Sequence, residues 1–382
     1  MNQMQYIKTI ICLIAVLGMF LVLVLPAGAE TYIYEGNTGG ELDIAWENML
    51  QELPDDIREE AEKLSPTNKA QEWQEYLGIS YWLEKIMTLL QEHFQNALNS
   101  LLSIGSILLV SSALRQWQGA HTEGLFQFCS DVCLAMTVFT SAWSLFDRMQ
   151  AFLGQLCNVM TGLIPVMAAV SYGAGEIATA SVNRMAMTLF ITVLNQLQRW
   201  LFAPFGQALF RLSIVTAVCS QIQLGSFTAA LKKLFMTLFT FMLLIYSFVY
   251  GIQNTLARSA DSLGLRTVKF AMGSFIPIVG GTISDAFSAV REGLGYVRVM
   301  TGIGGIWILL LMVLPVAVSV WVFDLVLSCG HTAAELLGAA QGARLLGETR
   351  SILQILAALV WVSVTFFLFA IILFTKTAVH TG

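Results

Sequence analysis

Charge is what this sequence of 382 residues has least of: Asp, Glu, Lys and Arg make up 12% of it, while 56% is hydrophobic. Soluble globular proteins carry about 25% charged residues, most of them on the surface. Half that share leaves too little polar material to cover a chain of this size, so lipid must be the solvent for most of it. The net charge of -5 also argues against a nucleic-acid partner, which calls for a basic face.

Motifs that carry chemistry are lacking as well. The sequence has no phosphate-binding loop, no nucleophile elbow, no H-E-x-x-H pair and no dinucleotide fingerprint. Its four histidines are scattered, and its six cysteines lie in or beside apolar runs, where thiols behave as small apolar groups. We therefore expect no catalytic, cofactor-binding or metal site, and an intramembrane enzyme is the least favoured class.

Carboxylates are concentrated near the N-terminus, where 14 of the 25 acidic residues lie between Glu30 and Lys85. Upstream, Lys8 precedes an apolar run and the small-residue sequence Ala27-Gly28-Ala29. This order is typical of a signal peptide cleaved after Ala29; an uncleaved anchor helix is the alternative. The predicted organisation is a signal peptide (1–29), an acidic extracytoplasmic segment (30–92) and a polytopic membrane domain (93–382).

The acidic segment contains two amphipathic patterns. In the first, apolar residues recur at helical spacing until Pro54 stops them: Ile44, Trp46, Met49, Leu50 and Leu53. The second covers residues 73–90 and carries a stripe that includes Trp73, Leu77, Trp82 and Ile86. Such stripes pack on the bilayer or on the chain's own spans, or they bind a partner. Packing on the bilayer or on the chain's own spans is the favoured interpretation.

Uncharged apolar runs predict the membrane crossings, because a helix needs about 20 apolar residues to cross about 30 Å of hydrocarbon. Four runs meet that length without a charge, and a fifth contains Asp131. Two further spans are interrupted by arginines. In chain order the predicted spans occupy residues 92–115, 125–146, 185–203, 207–224, 233–258, 298–324 and 350–376. The predicted fold is an all-α polytopic membrane protein with about seven spans.

Two proline-containing segments match each other without gaps: MTGLIPVMAA (160–169) and MGSFIPIVGG (272–281). Proline removes a backbone donor and small residues follow, so each segment favours a broken helix or a re-entrant hairpin. Chance similarity and ordinary kinked helices are the alternatives to an internal repeat. The candidate pathway residues in these segments are Pro165, Ala168, Ala169, Pro277, Gly280 and Gly281.

The distribution of basic residues predicts how the chain is oriented across the membrane. Residues 258–298 contain five basic and three acidic residues, which predicts a cytoplasmic position. With an external acidic segment, five crossings then precede this region, so the two proline segments enter the membrane from opposite sides. Opposite entry is typical of inverted-repeat transporters, whose interrupted helices mark the substrate path. This scheme places Lys232 and Lys233 on the extracytoplasmic side of the membrane. Basic residues favour the cytoplasmic side, so these two lysines count against the scheme.

Two carboxylates in or beside membrane segments are further candidates. Asp131 lies inside a predicted span, where a charge is costly and faces a partner or water. Under one hypothesis Asp131 lines a path or takes part in proton transfer. Under the other it pairs with Arg184 or Arg211, or it reaches the membrane interface. Asp285 follows the second proline segment and either lines the same path or ends a half-helix in the cytoplasm.

The stretch RTVKFAMGSFIPIVGGTISDAFSAV (266–290), behind a leader and an acidic segment, closely resembles the stage III sporulation protein AE family of endospore-forming bacteria. GLIPVM (162–167) is similar to the family's other recognisable segment. The resemblance implies a large polytopic subunit of the mother-cell membrane, in the transenvelope complex that joins mother cell and forespore after engulfment. The implied partners are other proteins of the stage III sporulation A operon, including ring-forming membrane proteins and a cytoplasmic ATPase. The resemblance implies no catalytic residues.

Two functional hypotheses follow. In the first, the chain is a channel or export-gate-like subunit of that assembly, and the proline segments line a conduit. In the second, it is a self-sufficient small-solute transporter, and the same segments form a substrate site near the bilayer midplane.

Overall fold

The chain is helical throughout the part that the computed structural model describes: residues 39–62, 78–117, 123–174, 176–218 and 280–376, with scattered helical positions between 229 and 263. The all-α class is therefore confirmed for these residues. The predicted signal peptide with Ala29, most of the predicted span 233–258, and Pro277 lie outside the described residues. The helices are α1 (Gly39–Gln51), α2 (Asp55–Glu62), α3 (Ile79–Trp117), α4 (Glu123–Gly173), α5 (Ile177–Leu197), α6 (Ala203–Val218), α7 (Gly280–Leu336) and α8 (Ala340–Lys376).

The amphipathic helix predicted before Pro54 is confirmed as α1, and it packs on a membrane helix of the same chain. Its apolar stripe is buried except for Ile44, which is 61% exposed. The backbones approach closely at Gly162 of α4, where a Cβ would lie 3.1 Å from the Met49 Cα. The buried residues of this stripe are Trp46, Met49, Leu50 and Leu53.

The second predicted amphipathic helix and the first predicted span are one helix. The sequence patterns place them at 73–90 and 92–115, but α3 runs without a break from Ile79 to Trp117. No proline lies in this range, and a single interior glycine, Gly105, costs a helix only about 1 kcal/mol. The sequence changes near Glu92 from an amphipathic to an apolar pattern, and this change therefore marks different surroundings along a single helix.

The predicted hairpin at 160–169 is wrong, because α4 is continuous from Glu123 to Gly173 with Pro165 inside it. Proline removes one backbone hydrogen bond, yet a helix tolerates it where neighbouring elements hold the flanking residues in place. Here Leu163 and Val166 are buried on either side of the exposed Pro165. Leu163 packs against α7, where a Cβ on Gly305 would lie 3.2 Å from its Cδ2.

Residues 177–218 form one helical run, so the predicted break between spans at 185–203 and 207–224 is absent. A π-helical turn, Gln198–Phe202, joins α5 to α6. Such a turn adds a residue to the helix and shifts the faces of the two halves relative to each other. Gln198 Nε2 donates to the Gln150 carbonyl of α4 at 2.8 Å and fixes the turn against that helix.

The last two helices form an antiparallel hairpin. Gly338 closes it with a φ of 68°, a conformation in which glycine carries no steric cost. The Ala339 N–H donates to the Ala334 carbonyl at 2.8 Å across this glycine and caps the end of α7. Four helices of the described residues are long and apolar enough to cross a membrane: Ser80–Leu114, Phe126–Gly173, Val297–Leu336 and Ala340–Ile372.

Gly206 provides a test of the packing between α6 and α4. A Cβ at this position would lie 2.6 Å from Cε2 of Phe146. That ring cannot move aside, because it is 1% exposed and packs against Phe202 and Phe210. We expect Gly206→Ala to destabilise the protein by about 1–3 kcal/mol. The melting temperature of the detergent-solubilised protein, followed by size-exclusion chromatography, measures the loss.

Gly154→Ala is the matched control, because a Cβ there would meet nothing within 4 Å. Equal melting temperatures for the two variants would contradict the packing described for α6.

Candidate functional site

An ion pair joins α7 and α8, the two most apolar of the four candidate spans. Arg350 donates from Nε to Asp324 Oδ1 and from Nη2 to Oδ2, both at 2.7 Å. Arg350 Nη1 also donates to Ser328 Oγ at 3.2 Å, and Gln354 Nε2 donates to Asp324 Oδ1 at 2.9 Å. Two parallel bonds between guanidinium and carboxylate form the strongest and most directional type of ion pair.

The helical hairpin brings the two residues of this pair to the same level of α7 and α8. Asp324 precedes the Gly338 turn by 14 residues and Arg350 follows it by 12, so the two helices bring them to nearly the same depth. At 1.5 Å per residue this depth is about 20 Å from the turn. The sequence pattern uses both charges as membrane edges, and that placement stays a prediction. The helices continue past them, and the candidate spans contain both residues.

A second ion pair is almost completely buried. Arg298 Nη2 of α7 lies 2.9 Å from Glu176 Oε2, and their side chains are 2% and 7% exposed. Arg298 Nη2 also lies 3.4 Å from Ser171 Oγ, and its guanidinium carbon lies 5.4 Å from the centre of the Phe374 ring. The charge is therefore held by a carboxylate, a hydroxyl and an aromatic face together.

This second pair ties together the ends of several helices. Ser171 belongs to the last turn of α4, Glu176 immediately precedes α5, and Phe374 belongs to the last turn of α8. Gly302, one turn beyond Arg298, meets Thr375 of α8 so closely that no Cβ fits between them. The sequence analysis counted Arg298 among the basic residues of a cytoplasmic loop. Its buried position removes it from that count.

The predicted pathway residues of the first proline segment lie in a continuous helix. Pro165 is exposed, Ala169 is half-buried, and Ala168 is buried and lines a cleft between α4 and α5. The cleft also includes Ser171, Asn183 and Arg184. Its free volume is about 10 Å³, which is the space of roughly one water molecule.

The other predicted residues lie far from this cleft. Gly280 and Gly281 open α7, and Asp285 follows in its second turn instead of ending a half-helix. Gly305 of α7 packs at the level of Leu163, and Gly281 precedes it by 24 residues, or about 36 Å of helix. Asp131 is buried in α4, 34 residues or about 51 Å from Pro165. The structure does not bring these residues together.

Metal binding has no support in the described part of the chain, where no three His, Cys, Asp or Glu side chains are grouped closely enough to hold an ion.

A histidine of α3 contacts another candidate span: His93 Nε2 lies 3.1 Å from Ser319 Oγ of α7. Ser319 Oγ also donates to the carbonyl of Pro315, one turn earlier, and so forms part of the proline-containing turn.

Four long apolar helices, two of them joined by an ion pair, define an all-helical membrane protein in the described part of the chain. The sequence profile of the stage III sporulation protein AE family matches residues 67–377, and the chain belongs to this family. The stage III sporulation protein AE of Bacillus subtilis (strain 168) is 24% identical over 221 residues. That match covers 58% of this chain and 55% of the relative, so the chain aligns with about half of the relative's length. No solved structure matches the chain.

Breaking the Glu176–Arg298 pair should be costly. Arg298→Met leaves the Glu176 carboxylate buried without its counter-charge, and losses of this kind are about 3–5 kcal/mol. We expect the variant to melt well below the wild type and to yield less monodisperse protein. The double variant Glu176→Gln/Arg298→Met removes both charges, and we expect it to recover most of that loss.

Arg344→Met is the control for loss of a single arginine. Its side chain is 43% exposed and pairs with Glu348 one turn away, a contact that contributes no more than about 0.5 kcal/mol. If Arg298→Met melts like Arg344→Met, the buried pair does not hold the helix ends together.

Proposed function

We propose that this chain is a non-enzymatic membrane subunit of the sporulation complex that connects mother cell and forespore, and that it serves there as an export-gate-like component. The observation that carries the proposal is membership of the stage III sporulation protein AE family over most of the chain. The membrane character of the four long helices is consistent with it. The proposed partners are other subunits of that complex, among them the ring-forming proteins and the ATPase.

An export-gate-like role does not require paired re-entrant hairpins. The continuous α4 removes the first hairpin, and with it half of the evidence for an inverted repeat. Support for a role beyond packing comes instead from the Asp324–Arg350 pair. Ionisable groups within membrane spans are costly and commonly mark functional sites. Here both partners belong to the spans themselves.

The second hypothesis, a self-sufficient small-solute transporter, needs a substrate cavity near the midplane. The cleft between α4 and α5 lies at the end of the α4 span and holds about one water molecule, with a free volume of about 10 Å³. A cleft of that size excludes amino acids and sugars, and the neighbouring groove of about 360 Å³, which Tyr172, Arg184 and Leu189 line, lies open at the surface instead of enclosing a site. This observation favours the subunit hypothesis over the transporter hypothesis.

Reconstitution separates the two hypotheses. We expect the purified chain in liposomes to give no saturable uptake of labelled amino acids, sugars or phosphate. We expect the tagged chain, purified from sporulating cells in mild detergent, to retain other membrane subunits and the ATPase. Saturable uptake by the chain alone, without co-purifying partners, would instead establish the transporter.

The Asp324–Arg350 pair can be tested for a role beyond stability. Asp324→Asn leaves Arg350 without a counter-charge, so we expect less protein in the membrane and arrest of sporulation after engulfment. The exchange Asp324→Arg/Arg350→Asp restores a pair at the same place, and Ser328 and Gln354 can bond to either group. We expect the exchange to restore protein abundance, measured by immunoblot, but not heat-resistant spores.

The control for loss of a carboxylate on the same hairpin is Glu335→Gln, a side chain that is 63% exposed. Full spore formation by the exchanged pair would limit Asp324 and Arg350 to a structural role.

A further inference from the structure

The span α3 has three distinct faces. One is buried against the bundle and includes Ile104, Leu108 and Ser111. A second is apolar and exposed, as expected for contact with lipid, and includes Met87, Phe94 and Leu98. The third is exposed but polar. Its residues recur every three or four positions and form what we call the polar stripe: Thr88, Glu92, Gln95, Asn99, Ser103 and Ser106.

Hydrogen bonding within the stripe is incomplete. Thr88, Ser103 and Ser106 donate to backbone carbonyls of their own helix at 2.8–2.9 Å. The side-chain amides of Gln95 and Asn99 form no hydrogen bond to any residue that the structure describes. Each amide offers two donors and an acceptor, and each serine oxygen keeps a free lone pair.

The position of these amides makes that arrangement unfavourable in a single chain surrounded by lipid. Asn99 lies within the candidate span Ser80–Leu114, about 22 Å of helix from Leu114. Hydrocarbon cannot supply the missing hydrogen bonds, and polar side chains in spans bond across to neighbouring helices instead. The exposed polar stripe therefore calls for a partner beyond the helices that the structure describes.

We propose that the polar stripe binds the same stripe of a second copy of this chain, so that two α3 helices cross as a parallel pair in the membrane. Its groups are self-complementary, because amides and hydroxyls both donate and accept, as a two-fold interface requires. From Gln95 to Leu114 the helix has no charge, so two copies do not repel each other there.

The crossing point lies near Asn99 and Ser103. Serine is small enough to let two helix backbones approach, and Ser106 continues the same face one turn further on. Glu92 lies about two turns before Asn99, at the charged end of the span. Two helices that cross at an angle have diverged there, which separates the two carboxylates.

Disulfide cross-linking in native membranes tests the proposal. The background replaces the native cysteines Cys12, Cys129, Cys133, Cys157, Cys219 and Cys329, and single cysteines are then introduced as Asn99→Cys or Ser106→Cys on the stripe. Leu98→Cys and Phe94→Cys, about 100° and about 140° around the helix from Asn99 on the apolar face, are the controls. After mild oxidation we expect the stripe variants to form a product of twice the chain's mass, and the controls to remain monomeric.

A second variant measures the contribution of the amide. Asn99→Leu leaves α3 helical and more apolar, so the chain should remain inserted and abundant. We expect it to lower the Ser106→Cys cross-linked fraction by about threefold, the typical effect of one hydrogen bond between membrane helices. An unchanged fraction would overturn the role assigned to the stripe.

Three other outcomes would also overturn the proposal. Equal cross-linking on both faces of α3, or none on the stripe, shows that the helices do not pair through it. A cross-linked product that mass spectrometry identifies as a different protein shows that the stripe binds another subunit. Rapid reaction of Asn99→Cys with a charged, membrane-impermeant thiol reagent shows that the stripe faces water.

Discussion

A charge beside hydrocarbon must find its counter-charge within the protein, and two such pairs position α4, α5, α7 and α8 relative to one another. Asp324 and Arg350 fix the register of the α7–α8 hairpin through two 2.7 Å bonds, a geometry that no sliding of one helix along the other preserves. Glu176 and Arg298 hold the end of α4, the start of α5 and the end of α8 against α7. Apolar side chains of similar volume often stabilise a bundle equally well, so such pairs contribute position more than energy.

The same solvent acts on the backbone and explains why the helices are longer than the sequence patterns suggest. An interrupted helix in lipid exposes carbonyl and amide groups that nothing can satisfy. Pro165 costs α4 one hydrogen bond, but a hairpin at that point would expose several. Packing of Leu163 against α7 and of Gly162 against α1 keeps the continuous helix in place. The π-helical turn at Gln198–Phe202 is a further example, because it changes the direction of the faces without opening the helix.

Composition and apolar periodicity were enough to predict the class and the amphipathic helix before Pro54, because these depend on burial alone; the family was predicted from the resemblance of residues 266–290 and 162–167. The ends of the helices were not predictable by the same means. Asp324 and Arg350 interrupt apolar runs as an interfacial charge does, and only the structure shows that they bond to each other across the hairpin closed by Gly338. One clue was present: the two charges are opposite in sign and nearly equidistant from that glycine. Arg298 was missed because its partner, Glu176, is 122 residues away in the sequence.

The distribution of polar groups bears on where any conduit lies. A path through one copy of the chain requires polar groups that face an internal space and are free to meet a solute. In the described bundle the buried charges have partners, and the cleft beside Ala168 has room for about one water molecule. The amides without hydrogen bonds lie instead on the outer face of α3. Polar surface placed outside a tightly packed bundle is what an assembly requires, because the spaces that matter then form between subunits. Among the residues that the structure describes, the arrangement of polar groups therefore supports the proposed role as a subunit of a larger complex.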